Sequence, residues 1–256
     1  NMKAVFYDCE GLTKLDVSRL ATGNVTDMAF MFWDCKNLME LDVSGFDTSR
    51  VTDMNCMFYD CEGLTKLDVS RLATANVTDM SHMFWGCKNL MELDVSGFDT
   101  ANVTNMKAVF YDCEGLTKLD VSRLATGNVT DMSHMFLGCK NLMELDVSGF
   151  DTANVTNMKA VFYDCEGLTK LDVSRLATGN VTDMSCMFGG CKNLTYLDVT
   201  GFDISSVTNM NYMFYGCENL RELAGRELIE NHPVDKNDIF GECRNLRKKS
   251  GIFNRH

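Results

Sequence analysis

Ten cysteines recur at an interval of 26 residues along this 256-residue chain. They are Cys9, Cys35, Cys61, Cys87, Cys113, Cys139, Cys165, Cys191, Cys217 and Cys243. An interval that repeats without a slip indicates one short structural unit stacked end to end. A chain of this kind is predicted to form an elongated solenoid in which each 26-residue coil packs only against its neighbours.

One coil, counted from its cysteine as position 1, contains two apolar patterns. Leu41-Asp42-Val43 alternates apolar and polar side chains, which predicts a short half-buried strand. From Val51 to Phe58 the apolar residues fall at i, i+3, i+6 and i+7, which predicts a short helix with Thr52 as its cap. In several coils a glycine is expected to end this helix: Gly86, Gly138, Gly190 and Gly216. We therefore predict an α/β solenoid of about ten coils, each with one short parallel strand and one short helix.

Charged side chains alternate in sign with a second period of 52 residues. Position 2 reads Glu10, Lys36, Glu62, Lys88, Glu114, Lys140, Glu166, Lys192 and Glu218, and position 6 alternates in antiphase from Lys14. Opposite charges one coil apart attract by about a few tenths of a kcal/mol, whereas like charges repel. The alternation predicts ion pairs between coils that fix the stacking register.

The stretch from Cys35 to Phe58 follows the pattern CxxLxxLDVSxFDTxxVTDMxxMF, and Cys87 to Phe110 repeats it with Asn105 and Val109 as the only departures. This pattern resembles the 26-residue repeat of bacterial surface proteins, a relative of the BspA-like leucine-rich repeats found in cell-surface proteins and mycoplasma lipoproteins. The resemblance covers about residues 1–217. It implies a leucine-rich-repeat-like solenoid, a cell-surface or secreted location, and a role in adhesion or host contact. It supplies no catalytic residues.

The pattern changes near the C-terminal end of the chain. Leu223-Ala224-Gly225 stands where Leu-Asp-Val is expected, although Phe240 and Cys243 keep the register. We predict a repeat solenoid in residues 1–217, and an atypical last coil with a C-terminal cap in residues 218–256, because an exposed solenoid end needs protection. That region ends in a basic tail containing Arg244, Arg247, Lys248, Lys249 and Arg255.

The twelve cysteines raise the question of metal or disulfide chemistry. Zinc sites need close pairs such as CxxC, and the sequence contains none, so no metal site is predicted. Evenly spaced thiols in an apolar column favour buried reduced cysteines over disulfides. Cys56 and Cys186 fall outside the column, at position 22, and are expected to be exposed and reactive.

Several function classes are disfavoured by composition. The formal net charge of −12 disfavours nucleic acid and anionic membrane as partners, and no apolar run has the length for membrane insertion by this segment. Residues 86–133 are identical to residues 138–185, so every potential catalytic side chain is one of several copies. An active site needs a distinctive constellation, so neither enzyme activity nor a cofactor is predicted.

Two rows of side chains are the candidate binding residues. Aromatic residues occupy position 25 at Tyr7, Trp33, Tyr59, Trp85, Tyr111, Tyr163 and Tyr215, where they are expected either to face outward for binding or to fold back as packing. Aspartates occupy the outer face of the predicted strand at Asp42, Asp68, Asp94, Asp120 and Asp146. Because these carboxylates would lie one coil apart, they are expected to raise one another's pKa. The acidic row is open to three interpretations: structural neutralisation by nearby basic residues, partner binding, or calcium binding.

The leading hypothesis is a non-enzymatic, surface-exposed repeat module for adhesion. It would bind a protein or glycan on another cell or matrix through an extended face, where weak contacts repeated at fixed spacing add up. The alternative is a structural spacer or assembly scaffold with no ligand of its own.

Overall fold

The computed structural model describes residues 1–247 of the chain. Short strands of successive coils pair in parallel at a register of 26 residues, so that Leu15 faces Leu41 and Leu67 faces Leu93. The strands are β1 (Lys14–Leu15), β2 (Glu40–Leu41), β3 (Lys66–Leu67), β4 (Glu92–Leu93), β5 (Tyr196–Asp198) and β6 (Glu222–Ala224). Single parallel bridges between position-19 residues, from Asp27 to Asn209, join the coils at a second place. The predicted solenoid of stacked coils is confirmed.

The segment assigned to a helix by its apolar spacing is instead a succession of tight turns, so that part of the prediction is wrong. The amides of Met54, Cys56 and Phe58 donate hydrogen bonds to carbonyls of the next coil, at 2.9 to 3.1 Å. The amides between them, on Met57 and Tyr59, close turns onto carbonyls three residues earlier. An α-helix would place all of these hydrogen bonds within the segment, four residues apart. We call this arrangement the turn ladder.

Two residues of each turn ladder adopt the left-handed conformation. Cys56 has φ of 53° and Asp60 has φ of 52°, and equivalent residues at positions 22 and 26 repeat these values along the solenoid. A positive φ at the third residue of a turn is the geometry of a type II turn. The glycines predicted to end a helix, such as Gly86 with φ of 72°, occupy this left-handed position. They are turn residues and not helix ends.

The apolar spacing was a correct guide to burial but not to backbone winding. Val51, Met54, Met57 and Phe58 are all fully buried. The hydroxyl of Thr52 donates to the carbonyl of Thr26 in the preceding coil, at 3.1 Å, and caps no helix. Since the neighbouring coil offers a matching row of carbonyls, half of the amides bond between coils. Within residues 1–247 the one α-helix is α1 (Arg226–Asn231).

A column of phenylalanines forms the centre of the core. One ring from each coil stacks on the next, with centroids 5.5 to 5.9 Å apart and interplanar angles of 4° to 18°. The column consists of Phe6, Phe32, Phe58, Phe84, Phe110, Phe136, Phe162, Phe188, Phe214 and Phe240. Each stacked pair is worth about 0.5 to 1.5 kcal/mol beyond the burial of its area. This phenylalanine ladder keeps successive coils in register.

The cysteine column lies beside the phenylalanine ladder, as predicted. All twelve cysteines fall within residues 1–247 and are free thiols, and eight of the ten column members are buried. The thiol of Cys61 donates to the carbonyl of Phe32 at 3.1 Å, and the same bond recurs from Cys35 to Cys243. Each thiol is therefore satisfied by the preceding coil and needs no disulfide partner.

The expectation that Cys56 is exposed and reactive is wrong. Its side chain is only 6% exposed, and burial raises the pKa of its thiol to about 12. Cys186 is half-buried, and burial raises its pKa as well. The expectation rested on position 22 lying outside the cysteine column, but residues outside this column are also buried in the turn ladder, as Met57 and Phe58 are.

The last described coil continues the stack. Phe240 packs on Phe214 with ring centroids 5.6 Å apart, and β6 pairs with β5. Helix α1 follows Gly225, which has φ of 83°, and the guanidinium of Arg226 lies 4.8 Å from the centroid of the Phe240 ring. The division into a solenoid (1–217) and a terminal cap (218–256) stays a prediction. Of the basic tail, Lys248, Lys249 and Arg255 lie outside the described residues.

We expect thiol labelling of the folded protein to modify Cys243 first and Cys186 more slowly. The neighbouring thiol of Cys217 lowers the pKa of Cys243, whereas burial raises the pKa of Cys186. Because the thiolate is the reactive form, the labelling rate of Cys243 should rise at a lower pH. Mass spectrometry of alkylated peptides measures this order, with the urea-unfolded chain as the control in which all twelve react. Labelling of Cys56 as fast as Cys243 would contradict the burial described above.

We expect Phe136→Leu to lower the free energy of unfolding by about 1 to 3 kcal/mol, because it removes the stacks on Phe110 and Phe162 and a third ring contact with Phe150, and leaves a cavity. Phe136 is fully buried between Phe110 and Phe162. Phe150→Leu is the matched control, since Leu124 occupies the same column one coil earlier. It should cost less, because it removes one ring contact, that with Phe136 at 6.5 Å, and leaves the stacks of the ladder in place. Urea denaturation followed by circular dichroism measures both. Equal losses would show that the ladder has no special role.

Candidate binding surface

The aromatic residues of position 25 form a second stack, on the outside of the solenoid, which we call the aromatic ladder. Its rings are those of Tyr7, Trp33, Tyr59, Trp85, Tyr111, Tyr163 and Tyr215. Centroid distances between successive rings of the first five are 5.9, 4.0, 5.3 and 3.6 Å. Tyr7 is 51% and Tyr215 38% exposed, whereas the rings between them are half-buried. The rings pack on one another and also present edges to solvent, so their role in binding stays a prediction.

The stack is interrupted toward the C-terminal end. Leu137 and Gly189 take the position of a ring on either side of Tyr163. The Tyr163 ring lies over Gly189, and a Cβ atom on this glycine would be 2.9 Å from the ring. In the continuous part of the stack, burial raises the pKa of Tyr59 to about 12.

Aspartate and glycine alternate at position 26, next to the aromatic ladder. The carboxylate of Asp60 covers Gly86 so closely that a Cβ on this glycine would lie 1.8 Å from Oδ1. Asp112 covers Gly138 and Asp164 covers Gly190 in the same way, with distances of 2.0 and 1.9 Å. Burial raises the pKa of all three carboxyls. From Asp60 to Gly190 each glycine therefore leaves room for the carboxylate of the preceding coil, whereas the first three aspartates of the row, Asp8, Asp34 and Asp60, succeed one another without a glycine.

The predicted alternation of charges is confirmed as a row of ion pairs at position 2. Each lysine binds the glutamate of the preceding coil: Lys36–Glu10 at 3.2 Å, Lys88–Glu62 at 2.9 Å, Lys140–Glu114 at 3.0 Å and Lys192–Glu166 at 3.0 Å. At position 6, Lys14 binds Glu40 at 2.6 Å. Exposed pairs of this kind add little stability, about 0 to 1 kcal/mol each. Their main effect is to specify which coil lies above which.

The aspartate row along the strands does not behave as expected. Asp42, Asp68, Asp94, Asp120 and Asp146 are exposed, yet each has a lowered pKa. In each case the serine two residues later lowers the pKa, first through its side-chain hydroxyl and then through its backbone amide, which donates to the carboxylate at 2.9 to 3.0 Å. Neighbouring carboxylates do raise the pKa of Asp42, Asp94 and Asp146, as expected, but the contacts with serine outweigh this repulsion and the net shift is downward. The row remains ionised at neutral pH, and its role in partner binding stays a prediction.

One group of carboxylates has the spacing of a metal site. Ligand oxygens of Asp8, Glu10 and Asp34 lie within 4.8 Å of one another, the one such group in residues 1–247. The ammonium of Lys36 lies 3.1 Å from Asp34 and 3.2 Å from Glu10. The ammonium donates hydrogen bonds to both carboxylates, and these raise the pKa of Lys36. This lysine therefore already supplies the positive charge that a metal ion would bring to the group.

A row of exposed methionines at position 5, immediately before the strands, was not expected from the sequence. Met39 is 57%, Met91 51% and Met143 53% exposed, and threonine takes this position in the coils between them. Exposed methionines two coils apart, about 10 Å, offer an adaptable apolar surface for protein contact. The signal available in the sequence was the alternation of threonine and methionine with the 52-residue period.

The family described as "Mycoplasma protein of unknown function, DUF285" matches the chain over residues 1–122, 64–170, 109–226 and 138–250. No curated protein matches the sequence. Among residues 1–247, no helix has both the length and the hydropathy that a bilayer crossing requires.

Similar solved structures are leucine-rich-repeat proteins. One from T. pallidum is 20% identical with a TM-score of 0.43, over 65% of this chain and 69% of that chain. A leucine-rich cell surface protein of Faecalibacterium prausnitzii is 18% identical with a TM-score of 0.43, over 96% and 74%. The functional domain of InlJ from Listeria monocytogenes, which includes a cysteine ladder, is 20% identical with a TM-score of 0.31, over 84% and 58%.

The two aspartate rows are predicted to respond to substitution with opposite signs. Burial raises the pKa of Asp112 above its unfolded value of 3.8, so its ionisation disfavours the folded state at pH 7. We expect Asp112→Asn to raise the unfolding temperature at pH 7 and to have little effect well below pH 3.8, where the carboxyl is protonated in both states. Thermal unfolding at the two pH values measures this.

Asp120→Asn, in the next coil, is the matched control. Ser122 lowers the pKa of Asp120, so its contribution to stability is present above 3.8 and is lost as the pH falls through the folded pKa. This variant should lower the unfolding temperature at pH 7. Shifts of the same sign in both variants at pH 7 would show that the two rows do not differ in this way.

Proposed function

The chain belongs to the DUF285 family of mycoplasma proteins, and we propose that it is a non-enzymatic, surface-exposed repeat module that binds a partner through an extended face. The observation that carries the proposal is the recurrence of the same exposed side chains at fixed spacing on one stack of coils. Residues 86–133 and 138–185 are identical, so one binding motif is presented at least twice. Repetition raises the effective concentration of every weak contact after the first.

The stack supports this role because the inter-coil contacts hold the rows at constant spacing. The phenylalanine ladder and the hydrogen bonds of the turn ladder join every pair of neighbouring coils between Phe6 and Phe240. A rigid array loses little conformational freedom when it binds, which favours affinity from shallow contacts. An enzyme, in contrast, needs one distinctive group of residues in a pocket.

The proposed face combines three rows. The aromatic ladder offers ring edges, the strand aspartates offer negative charge, and the row of Met39, Met91 and Met143 offers an adaptable apolar surface. Such a face suits a protein on another cell or matrix that presents apolar and basic groups, and a glycan is the second partner class. The net charge of −12 supports neither nucleic acid nor an anionic membrane as partner.

A structural spacer or scaffold is the second candidate function. The observation that favours it is the mutual stacking of the aromatic rings, with Trp85 and Tyr111 only 3.6 Å apart. Rings that satisfy one another serve packing even without a ligand. In that role the module would set the distance between the segments that it joins, and substitutions in the exposed rows would leave attachment unchanged.

Attachment of the labelled protein to cultured epithelial cells and to immobilised matrix proteins and glycans separates the two functions. One variant carries Trp33→Leu, Tyr59→Leu, Trp85→Leu and Tyr111→Leu, since Leu137 occupies this position naturally. A second carries Met39→Thr, Met91→Thr and Met143→Thr, since threonine alternates with methionine in this row. If the module binds, at least one variant should lose about tenfold in affinity, because hot-spot aromatic and apolar contacts are worth about 1 to 2 kcal/mol each.

Circular dichroism and unfolding midpoints of both variants establish that any loss is not caused by misfolding. Unchanged attachment of both variants would overturn the binding proposal for these rows and support the spacer. Loss in the methionine variant alone would place the partner contacts on the strand side and remove the aromatic ladder from the site.

A further inference from the structure

Two consecutive glycines at position 26 break the alternation with aspartate, and a cleft lies at this break. Its volume is about 220 Å³, and it lies between Tyr163 and Tyr215 of the aromatic ladder. Gly190 and Gly216 also line it, together with the charged side chains of Glu218 and Arg244. This volume suits a single side chain and is smaller than a typical site for a drug-sized ligand, which spans about 300 to 1,000 Å³.

The cleft follows from two consecutive glycines at position 26. In the other coils with a glycine here, the aspartate of the preceding coil covers it, as Asp112 covers Gly138. Gly216 follows Gly190 instead, and the nearest atoms to a Cβ on Gly216 are backbone atoms of Gly190 at 3.6 Å. No carboxylate covers Gly216, so the space above it stays open. Gly189 provides no ring between the two tyrosines, and the Tyr163 ring lies over it.

Negative charge is in excess around the cleft. The two cations are already paired, Lys192 with Glu166 at 3.0 Å and Arg244 with Glu242 at 2.7 Å. By the pattern of the other coils, Arg244 would bind Glu218 of the preceding coil. Because Arg244 binds Glu242 instead, the Glu218 carboxylate has no ion-pair partner among residues 1–247.

A second carboxylate adds to this excess. Asp164 also lines the cleft, and burial raises its pKa, which shows that the positive charge near it does not compensate for lost hydration. An additional cation in the cleft would therefore be stabilised by both Asp164 and Glu218.

We propose that the cleft binds the guanidinium of an arginine side chain from a protein partner, held between the rings of Tyr163 and Tyr215 with Glu218 as its counter-ion. A planar, weakly hydrated guanidinium stacks on aromatic faces and pairs with a carboxylate at the same time, which a compact ammonium does less well. The proposal deepens the proposed function and rests on it for the protein source of the arginine. The site itself is a single, non-repeated one.

The test is titration of the folded protein with N-acetyl-arginine amide, followed by NMR of the Gly190 and Gly216 backbone amides. We expect saturable shifts with a dissociation constant on the order of 1 mM, and weaker binding at high ionic strength. The corresponding lysine compound should bind several-fold more weakly. Methyl glucoside, a neutral ring, should cause no saturable shift.

Variants assign the binding to the cleft. Tyr163→Leu and Glu218→Gln should each weaken arginine binding by about tenfold, given the usual size of cation–π and ion-pair contributions in partly buried sites. The matched controls are Tyr111→Leu in the continuous stack and Glu114→Gln, whose carboxylate pairs with Lys140. Both controls should bind as the parent does.

Three results would overturn the proposal. They are the absence of any saturable shift, equal loss in the control variants, and binding of methyl glucoside as tight as that of the arginine compound, which would indicate a sugar site. The result of this titration can be distinguished from the result of the attachment experiment on the whole module. Arginine binding that persists while no surface attaches the protein would refute the proposed function alone, whereas attachment without arginine binding would refute the cleft alone.

Discussion

Hydrogen bonding between equivalent segments of successive coils is the constraint on which the rest of this structure depends. In the turn ladder, alternate amides such as those of Cys56 and Phe58 donate to the next coil, and the amides between them close tight turns. This pattern satisfies the backbone without a helix and requires equivalent residues to lie directly above one another. Every other feature of the molecule follows from that superposition.

Superposition places each side chain next to the side chain at the same position of the neighbouring coil. Which residue types occupy a position therefore depends on how two such side chains interact. Apolar side chains gain from self-stacking, so phenylalanine and cysteine recur in every coil. At position 2 glutamate alternates with lysine, which pairs opposite charges, and from Asp60 to Gly190 aspartate alternates with glycine at position 26, which leaves room for each carboxylate. The strand aspartates recur from coil to coil without alternation, because a local hydrogen bond stabilises each carboxylate. The 52-residue period reflects these two alternations, because each of them takes two coils to repeat.

The same principle explains where a specific site can arise. A perfect repeat presents rows, and rows suit a partner that is held by many weak contacts. A discrete cleft appears where the alternation fails, at Gly190 and Gly216, because the carboxylate that would cover the second glycine is missing. Departures from the repeat are therefore as informative about function as the repeat itself.

The sequence alone determined the solenoid, the 26-residue register, the buried cysteine column and the ion pairs, because each depends only on which residues recur one coil apart. It did not determine the backbone of Val51 to Phe58, since burial at i, i+3, i+6 and i+7 is compatible with a helix and with the turn ladder. Tertiary structure decided that choice by supplying acceptors in the neighbouring coil. It also decided the low pKa of the strand aspartates through Ser44 and its equivalents, the burial of Cys56, and the open space above Gly216. These properties depend on where a side chain points after stacking, which spacing along one chain does not specify.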